Sequence, residues 1–518
     1  MSASLAGLGG PVDTDVVIVG AGLSGIGAAV RLQSELPHLR YRILEARTEL
    51  GGTWSLFRYP GVRSDSDMFT LAYPFAPWRE PEAIGSGPQI LDYLRRTAQQ
   101  HGVDRRISLR HKVVGADFDS ATARWVLTVQ SPEGTIQITC RFLHVCGGYY
   151  SYDHPHDPRI PGLEDFGGEV MHPQRWSTGL RYDGRRVVVI GSGATAITLV
   201  PALVEEGDDG QVAAHVTMLQ RSPTWIGSVP SQDRLGDLAR RLLPPGPAHH
   251  VARARNVATG TALWTLARRA PGLVRRLLLR RAVVELGGGR SARETVRAHL
   301  TPSYDPWDQR LCAAPDGDFF RALRSGRADI VTGTVDRVVE EGVRLSTGEV
   351  LPADVLVTAT GLRVRVAGGT EPRVDGIPVD LGNQLVWAGA MVTGLPNLAL
   401  TVGYVNASWT LRSDLTARLV TRVLRWMEDG GYAVALPVAP AGVGRRRLLD
   451  LDAGYLRRAE GQLPAQGDRD PWRMRQNYLL DLLALWRLDL DDSLVGVRPG
   501  TPASTPQPVD NSPPGPAR

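Results

Sequence analysis

Two glycine-rich segments, each directly after a run of β-branched residues, limit the folds that this chain can adopt. VVIVGAGLSG covers residues 16–25, and VVVIGSGATA covers residues 187–196. A strand that ends in GxGxxG or GxGxxA and continues as a helix is the first half of a βαβ unit that binds a dinucleotide. The sequence therefore predicts an α/β protein with two Rossmann-like folds in one chain.

The first glycine-rich segment carries the residues of a dinucleotide site in their usual order. Gly20 allows a tight turn, Gly22 lets the backbone approach a pyrophosphate, and Gly25 lets the helix pack against its strand. The N–H groups at the start of that helix would face the diphosphate. Glu45 ends the next strand, where its carboxylate can accept hydrogen bonds from both ribose hydroxyls. Because that carboxylate would repel a 2′-phosphate, FAD or NAD fits this site better than NADP.

An aromatic loop, GGTWSLFRYPGVRSD, follows this acid at residues 51–65. One interpretation is a buried turn in which Tyr59 packs. The other is a lid over an isoalloxazine ring, with Asp65 as a charge near the flavin edge. A simple dehydrogenase does not need such a loop, so the first fold is predicted to bind FAD. The cofactor-binding residues predicted in the loop are Gly52, Thr53, Trp54, Tyr59 and Asp65.

The second glycine-rich segment differs from the first at two points. Gly191 and Gly193 are followed by Ala196 at the third position, which widens the spacing between helix and strand slightly. The next strand ends at Gln220, and Arg221 and Ser222 follow where the first fold has its acid. A guanidinium and a hydroxyl suit a 2′-phosphate, so the second site is predicted to bind NADPH, with Ala194 and Thr195 at the helix start. The alternative for Arg221 is an ordinary surface arginine.

A bound flavin and NADPH together imply that a hydride passes from the nicotinamide to the flavin. The predicted organisation has a disordered N-terminus, a divided FAD-binding domain, a divided NADPH-binding domain with a helical insertion, and a disordered, Pro-rich tail. The predicted boundaries, in chain order, are 1–14 for the N-terminus, 15–160 for FAD, 166–230 for NADPH, 231–304 for the insertion, 305–365 for NADPH again, 373–497 for FAD again and 498–518 for the tail.

Residues 166–176, FGGEVMHPQRW, have neither helical nor strand periodicity and lie between the two predicted folds. They match the fingerprint FxGxxxHxxxW of type I Baeyer–Villiger monooxygenases, and GTWSLFRYPGVRSD matches a second pattern of these enzymes, GxWxxxx[FY]P[GM]xxxD. The chain thus resembles this branch of the flavin-containing monooxygenase superfamily from about residue 15 to residue 495. The stretches RYPGVRSDSDM and YDPWDQRL resemble in particular those of the ethionamide-activating monooxygenases. The fingerprint residues are Phe166, Gly168, His172 and Trp176.

This resemblance implies a role for each matching residue. The fingerprint is expected to link the two domains, with His172 as a hydrogen-bonding residue of the hinge more than a proton-transfer catalyst. Arg310, in YDPWDQRL, is expected to stabilise the anionic flavin C4a-peroxide, and Asp65 to pair with it. The alternative for Arg310 is a structural ion pair with Asp305 or Asp308. Gln309 stands where many members carry Lys, which removes one possible phosphate contact.

A returning segment, TGLPNLALTVGYVNASWT at residues 393–410, resembles the part of the FAD domain that lies near the flavin ring. Asn406 is its predicted cofactor-binding residue. Core packing is the competing interpretation for Trp409. The other residues of the segment that carry the resemblance are Gly394, Pro396, Asn397 and Tyr404.

Three functions fit these features. The leading one is an FAD- and NADPH-dependent monooxygenase that inserts an oxygen atom of O2 beside the carbonyl of a small hydrophobic ketone. The second keeps the cofactors and oxygenates the sulfur or nitrogen of a thioether, thioamide or amine. The third is a dinucleotide-sensing binding protein without turnover, which the presence of Asp65 and Arg310 disfavours.

The cysteine and histidine pattern argues against a metal or dithiol centre. Cys140, Cys146 and Cys312 form no CxxC pair and are predicted to be buried free thiols. HPHDP, at residues 154–158, has prolines between its potential ligands and is predicted to be a surface turn, so no metal site is expected.

Charge and hydropathy predict a soluble, cytoplasmic protein. The formal net charge of +5 comes from arginines spread along the chain, and no nucleic-acid motif accompanies them. No export signal and no stretch of 18 apolar residues is found. The Leu- and Arg-rich insertion is expected to break near Pro271 and to shape an apolar tunnel. Its Arg276 and Arg280 are either a solvated helix face or a contact with an anionic membrane surface.

Overall fold

In a computed structural model of the chain, the β-branched run before each glycine-rich turn forms a strand, and each of these two strands pairs in parallel with its neighbours in its own sheet. The structure describes residues 12–207 and 210–500, without the side chains of Arg240 and Pro245. The disorder predicted for the N-terminus and the tail falls mostly outside these residues. Thr14 nevertheless begins the first strand, one residue earlier than the sequence predicts.

The first part of the chain forms a βαβ unit, two short helices, a longer helix and an antiparallel meander. Its elements are β1 (Thr14–Val19), α1 (Leu23–Glu35), β2 (Tyr41–Glu45), α2 (Thr53–Leu56), α3 (Met68–Leu71), α4 (Gly87–Gln100), β3 (Ile107–Leu109), β4 (Lys112–Asp119), β5 (Arg124–Ser131) and β6 (Gly134–Val145). Strand β1 pairs in parallel with β2 and β6, so both neighbours of the first glycine-rich turn are fixed by the sheet.

The second part of the chain forms another parallel sheet and four consecutive helices. Its elements are β7 (Glu169–Met171), β8 (Arg186–Ile190), α5 (Ala194–Val204), β9 (His215–Gln220), β10 (Ile226–Val229), α6 (Arg234–Leu242), α7 (Pro245–Arg269), α8 (Pro271–Glu285), α9 (Gly289–His299), β11 (Cys312–Pro315), α10 (Asp318–Arg324), β12 (Ala328–Thr332), β13 (Val335–Val339), β14 (Gly342–Leu345), β15 (Val350–Pro352) and β16 (Val355–Thr358).

The sheet of the second part has the order β12-β9-β8-β16-β7, and all its pairings are parallel. Strand β7 lies inside the segment 166–176, which the sequence treats as a linker without strand periodicity. Three residues are too few to show an alternating pattern, and β7 is an edge strand with Glu169 and Val170 exposed. The fingerprint is therefore part of the second sheet as well as a connection.

The last part of the chain returns to the first sheet. Its elements are β17 (Pro372–Val374), β18 (Ile377–Pro378), β19 (Leu385–Trp387), β20 (Met391–Val392), β21 (Leu398–Leu400), α11 (Trp409–Gly430), β22 (Val434–Pro437), β23 (Arg445–Arg447), α12 (Gly454–Arg457), β24 (Ala465–Gly467), α13 (Tyr478–Arg487) and β25 (Leu494–Val497). Strand β21 pairs in parallel with β6, and β17 pairs with β4. Through this return, buried residues of α11 pack against those of α1 and complete the hydrophobic core of the first fold.

The predicted fold class is confirmed: two Rossmann-like folds are present, and helices α6 to α9 are inserted after β10. The break predicted near Pro271 is also present, between α7 and α8. Cys140, Cys146 and Cys312 are buried and free, as predicted. Within the described ranges, no helix is long and apolar enough to cross a membrane.

Many leucines of the insertion are strongly exposed, among them Leu235, Leu242 and Leu277, and these side chains do not contribute to the apolar tunnel that the sequence predicts. The tunnel itself stays a prediction. Sequence alone identifies an apolar helix face but does not say towards what that face points.

Candidate active site

The first glycine-rich turn is closed tightly around its own backbone. Gly20 has φ +100°, and a Cβ there would lie 2.9 Å from the carbonyl oxygen of Cys146. A Cβ at Gly25 would lie 1.9 Å from the carbonyl oxygen of Gly20, so only glycine permits this approach of α1 to β1. Gly22 faces Gly52, with 3.4 Å between its Cβ position and the Gly52 Cα. Two glycines from different segments thus leave room above the start of α1.

Glu45 connects the end of β2 to this turn. The carboxylate is buried, and its Oε2 accepts a hydrogen bond from the Ala21 N–H at 2.8 Å. Its Oε1 accepts one from the Arg47 N–H at 2.9 Å. Since each carboxylate oxygen has two lone pairs, both oxygens keep an acceptor position for a ligand hydroxyl.

The aromatic loop reaches from the first fold to the second. Thr53 hydrogen-bonds to the hydroxyl of Tyr150, and Trp54 packs on the core of the first fold. Further along, a Cβ at Gly61 would lie 2.6 Å from the Ala202 Cβ on α5. Arg63 forms an ion pair with Asp318 at the start of α10. The loop is therefore attached to both nucleotide folds.

Tyr59 marks the point where the loop meets the second glycine-rich turn. Its ring packs on the core of the second fold. Burial raises the pKa of Tyr59 to about 12, although the side chain of Thr195 acts in the opposite direction. The phenol is therefore neutral at physiological pH and can donate a hydrogen bond.

The second glycine-rich turn is open where the first is closed. Gly191 has φ +140° and lies against the carbonyl of Ala359, with its Cβ position 2.3 Å from that oxygen. A Cβ at Gly193, in contrast, would meet no heavy atom within 4 Å. Helix α5 begins at Ala194 with no acidic residue in its first turn, so its N–H groups present a positive end to this space.

Arg221 and Ser222 lie at the rim of this open space, at the end of β9. Both are exposed, and the Ser192 hydroxyl donates to the Ser222 carbonyl at 3.0 Å, which ties the rim to the glycine turn. Arg221 has no ion pair with any acidic residue in the described part of the chain. A guanidinium held near a helix N-terminus without an internal counterion suits a doubly charged phosphate.

Asp65 and Arg310 form an ion pair, as the sequence predicts, with 2.7 Å between Arg310 Nη2 and Asp65 Oδ2. Asp65 ends the aromatic loop, and Arg310 lies just before β11, so the pair joins the first fold to the second. Their side chains are 33% and 35% exposed. Burial disfavours the charged guanidinium, but the Asp65 carboxylate outweighs it and raises the pKa of Arg310 above its ordinary value. Arg310 is therefore a permanent positive charge at this boundary.

The alternative partners of Arg310 are engaged elsewhere. Asp305 pairs with Arg275 of α8 at 3.2 Å, and Asp308 pairs with Arg268 of α7 at 2.8 Å. The structural ion pair with Asp305 or Asp308 that the sequence leaves open is therefore not formed. These two carboxylates attach the segment before Arg310 to the insertion instead.

The fingerprint residues connect the folds by packing and by one buried amide. A Cβ at Gly168 would lie 2.3 Å from the Asp354 carbonyl, so glycine allows β7 to approach the segment before β16. Phe166 packs beneath β13 and β14, and Trp176 packs on the core of the second fold. Gln174 donates its Nε2–H to the Ser151 carbonyl at 2.8 Å, which ties the fingerprint to the first fold.

His172 accepts a hydrogen bond from the Gln174 N–H at its Nδ1, at 3.1 Å. Burial lowers the pKa of His172 to about 4, and the nearby Arg175 and His156 act in the same direction. The ring is therefore neutral near pH 7, in agreement with a hydrogen-bonding role. Its Nε2 is buried without a partner among the described residues.

Sequence reasoning missed an aromatic wall beside Arg310. Tyr149 stacks on Trp409 with ring centroids 5.3 Å apart, and the ring of Tyr455 lies against Tyr149 with centroids 6.3 Å apart. Burial raises the pKa of Tyr455 well above its ordinary value, so its hydroxyl stays protonated. The run CGGYYSYD after β6 was a signal for part of this wall. Tyr455 comes from a separate segment, and nothing in the local sequence indicates it.

The returning segment is divided between core and site. Asn397 is fully buried, and its amide bonds to the backbone of Arg141, Ala433 and Ala435, so it is a structural residue. Trp409 lies beside the site and donates its Nε1–H to the Ser24 hydroxyl at 2.8 Å. Asn406 donates to the Gln476 carbonyl, but its buried Oδ1 has no partner among the described residues.

Several other buried polar atoms around the site share this property. Across the described ranges, Thr360 Oγ1, Trp307 Nε1 and Gln476 Nε2 also lack a hydrogen-bond partner. Buried polar groups without partners are costly in a finished fold, so these atoms fit a site that binds polar ligands. In the same ranges, no cluster of three or more His, Cys, Asp or Glu side chains is arranged to hold a metal ion.

Comparison with known proteins places this geometry in a family. Residues 13–234 match the family model described as flavin-binding monooxygenase-like. The chain is 47% identical over 469 residues to the FAD-containing monooxygenase EthA of Mycolicibacterium smegmatis, covering 90% of this chain and 94% of that protein. It is 42% identical over 487 residues to the probable FAD-binding monooxygenase AlmA of Acinetobacter baylyi, covering 93% and 95%.

Among solved structures, an oxidized steroid monooxygenase bound to NADP superposes with a TM-score of 0.73 at 22% identity, covering 94% of this chain and 99% of that one. This likeness supports the fold of two nucleotide-binding domains. The identity to curated relatives over nine tenths of the chain goes further and confirms the resemblance drawn from the sequence motifs. The chain thus belongs to the family of FAD-containing, flavin-binding monooxygenases.

Proposed function

We propose that this monooxygenase inserts one oxygen atom of O2 beside the carbonyl of a small hydrophobic ketone and releases an ester or lactone. When bound, FAD would supply the redox chemistry, in which NADPH provides a hydride, one oxygen atom of O2 enters the substrate and the other leaves as water after taking up a proton. FAD would be held by Gly20, Gly22, Gly25, Glu45, Gly52, Thr53, Trp54, Tyr59, Asp65 and Asn406. NADPH would be held by Gly191, Gly193, Ala194, Thr195, Arg221 and Ser222.

The first fold fits a resident dinucleotide. The space between Gly22 and Gly52 lies at the N-terminus of α1, whose N–H groups favour a pyrophosphate. Glu45 retains acceptor positions for ribose hydroxyls at the end of β2. The unpartnered Oδ1 of Asn406 offers a further polar contact on the side of the returning segment.

The second fold fits a phosphorylated dinucleotide. The open space at Gly193 leads to the exposed Arg221 and Ser222, and no acid occupies the end of β9. A charged hydrogen bond from Arg221 to a 2′-phosphate would distinguish NADPH from NADH.

The observation that carries the proposal is the ion pair between Arg310 and Asp65. Insertion beside a carbonyl develops negative charge on oxygen, and a fixed cation in a water-poor site stabilises that charge. Arg310 cannot lose its proton, so it serves only as a positive charge and hydrogen-bond donor. Asp65 holds the guanidinium at the boundary of the two folds, where it can serve both the hydride-transfer and the oxygen-transfer stages.

The surrounding residues support the same chemistry by limiting access of water. Tyr149, Trp409 and Tyr455 form an aromatic wall, and the loop 51–65 is attached to both folds. Closure of the second fold on the first would complete the enclosure. A protonated Tyr455 next to a permanent cation also gives the site a neutral donor in addition to Arg310.

The experiment is the replacement Arg310→Ala in the FAD-loaded enzyme. FAD should remain bound, because the first glycine-rich turn and Glu45 are untouched. Losing one such charge costs about 3–4 kcal/mol of transition-state stabilisation, which is roughly a hundred- to thousandfold in rate. NADPH oxidation should continue slowly with release of hydrogen peroxide. Arg268→Ala, which removes an ion pair to Asp308, is the matched control and should keep its activity.

The assay separates the remaining functions when ketones, thioethers and amines are offered in parallel and products are identified by mass spectrometry. Esters or lactones that disappear in Arg310→Ala support the proposal. Sulfoxides or N-oxides with no ester, unaffected by Arg310→Ala, would assign the site to sulfur or nitrogen oxygenation. A protein that binds FAD and NADPH but consumes neither NADPH nor O2 would be a dinucleotide sensor.

A further inference from the structure

Helix α6 presents its apolar side to solvent. Leu235, Leu238 and Leu242 are spaced i, i+3 and i+7 and therefore share one face, with exposures of 64%, 51% and 73%. The opposite side carries the buried Gly236, whose N–H is capped by Asp233 at 2.9 Å. An amphipathic helix in a globular protein normally buries its apolar face, so α6 has the reverse orientation.

The same property extends over the whole insertion. Of the nineteen large apolar side chains that are strongly exposed in the described residues, ten lie between residues 235 and 284. On α8, Leu273, Leu277 and Val284 are exposed and follow helical spacing. Exposed apolar residues that are scattered singly over a surface are normal, but ten within about fifty residues indicate an interaction surface.

Arginines accompany these leucines. Residues 245–285 contain eight Arg and one Glu, whereas the whole chain has a formal net charge of only +5. Arg276 and Arg280 alternate with the leucines on the exposed face of α8. Within the described ranges neither has an ion pair, while the neighbouring Arg281 pairs with Glu285.

We propose that the insertion is a peripheral membrane-binding element, with the exposed faces of α6 and α8 in the headgroup region of an anionic bilayer. Exposed leucines next to unpaired arginines are the composition of helices that lie in a membrane interface. Each arginine near an anionic surface adds electrostatic attraction. A second copy of this chain would bring the same basic surface against itself, and the like charges would oppose that contact.

The surface is firmly connected to the candidate site. Arg253 of α7 donates to the carbonyls of Phe69, Thr70 and Ala72, directly after the loop that carries Asp65. The ion pairs of Arg268 and Arg275 attach α7 and α8 to the segment before Arg310. A bilayer-bound insertion would thus hold the site next to the phase in which apolar substrates concentrate. The membrane contact itself does not depend on which atom the enzyme oxygenates.

The test is co-sedimentation of the FAD-loaded full chain with vesicles. Vesicles that contain phosphatidylglycerol should bind the protein, phosphatidylcholine vesicles should bind it far less, and high ionic strength should weaken binding. Arg276→Glu combined with Arg280→Glu should lower the partition coefficient by about tenfold or more. Leu238→Ser combined with Leu242→Ser should lower it by a similar factor, roughly tenfold.

The control combines Ile377→Ser with Arg446→Glu, which changes an equally exposed apolar residue and arginine on the first sheet. It should bind vesicles like the wild type. FAD content and NADPH oxidation should be unchanged in all variants. If the leucine variant loses FAD, its vesicle binding is not interpreted, and the vesicle binding of the arginine variant alone tests the proposal. No binding to anionic vesicles, or equal binding to both vesicle types, overturns the proposal. Concentration-dependent dimers that the leucine variant abolishes, without vesicle binding, would assign the face to a second copy.

Discussion

The two glycine-rich turns of this protein have nearly the same sequence pattern but different surroundings. In the first, Gly25 lies against its own turn, Gly22 faces Gly52, and Glu45 is buried and bonded to the backbone. In the second, Gly193 borders open space and Arg221 is exposed without an internal ion pair in the described residues. The first turn is enclosed by its own protein, whereas the second is open to solvent.

This difference matches two ways of using a nucleotide. A cofactor that stays bound through many turnovers benefits from an enclosed site, because a ligand bound only by the native state also stabilises the fold. A nucleotide that must enter, deliver a hydride and leave needs an accessible site with charge at its rim. We therefore expect substitutions in the first turn to lower FAD content and stability, and substitutions in the second turn to weaken only the binding of NADPH.

The largest effect is expected for Gly25→Ala. A methyl group there would overlap the carbonyl oxygen of Gly20 at 1.9 Å, so α1 must move away from β1. Overpacking of this kind costs about 1–3 kcal/mol of unfolding free energy. We expect purified protein largely without FAD, measured by absorbance and thermal denaturation. Ala196→Gly, at the equivalent position of the second turn, should keep its FAD. Full FAD retention by Gly25→Ala would contradict the enclosed character of the first turn.

A smaller and more selective effect is expected for Arg221→Ala. If the guanidinium contacts the 2′-phosphate, its loss costs about 1.5–3 kcal/mol, which is roughly ten- to a hundredfold in NADPH affinity. The KM for NADH and the FAD content should not change, because neither involves this residue. Steady-state kinetics with both nucleotides measures the preference. A wild-type enzyme without preference for NADPH would remove the basis for this assignment.

Gly193→Ala tests the open space directly. The added methyl would meet no protein atom within 4 Å, and the poorer N-cap propensity of alanine costs about 1 kcal/mol relative to glycine. The thermal midpoint of the nucleotide-free protein should therefore fall by only about 1–3 °C. The KM for NADPH should rise by about tenfold, because the methyl occupies the space predicted for the pyrophosphate. An unchanged KM would indicate that NADPH binds elsewhere.

The sequence was informative where function depends on local patterns. The glycine turns, the end of β2 at Glu45 and the pairing of Asp65 with Arg310 follow from short motifs or from a family fingerprint. The aromatic wall does not, because Tyr149, Trp409 and Tyr455 are brought together only by the return of the last part of the chain to the first sheet. Strand β7 was missed because three edge residues have no detectable period.

The smallest expected effect concerns His172 and the connection between the two folds. Its folded pKa of about 4 lies below the 6.5 of an unperturbed histidine, so the unfolded chain binds a proton first as the pH falls. The stability that the neutral ring contributes is complete above about pH 6.5 and is lost progressively towards pH 4. At pH 5 this loss amounts to about 1 kcal/mol after allowance for partial exposure.

His172→Asn should remove this pH dependence, since the asparagine oxygen can still accept from the Gln174 N–H but does not titrate. The measurement is the change in thermal midpoint between pH 7 and pH 5, which should be smaller in His172→Asn than in the wild type. His154→Asn, at an exposed histidine, should leave the change as it is. If His172 were instead a proton-transfer catalyst, the same variant would lower kcat by about a hundredfold or more at every pH. A nearly normal kcat with a flatter stability profile would make His172 a residue of the hinge.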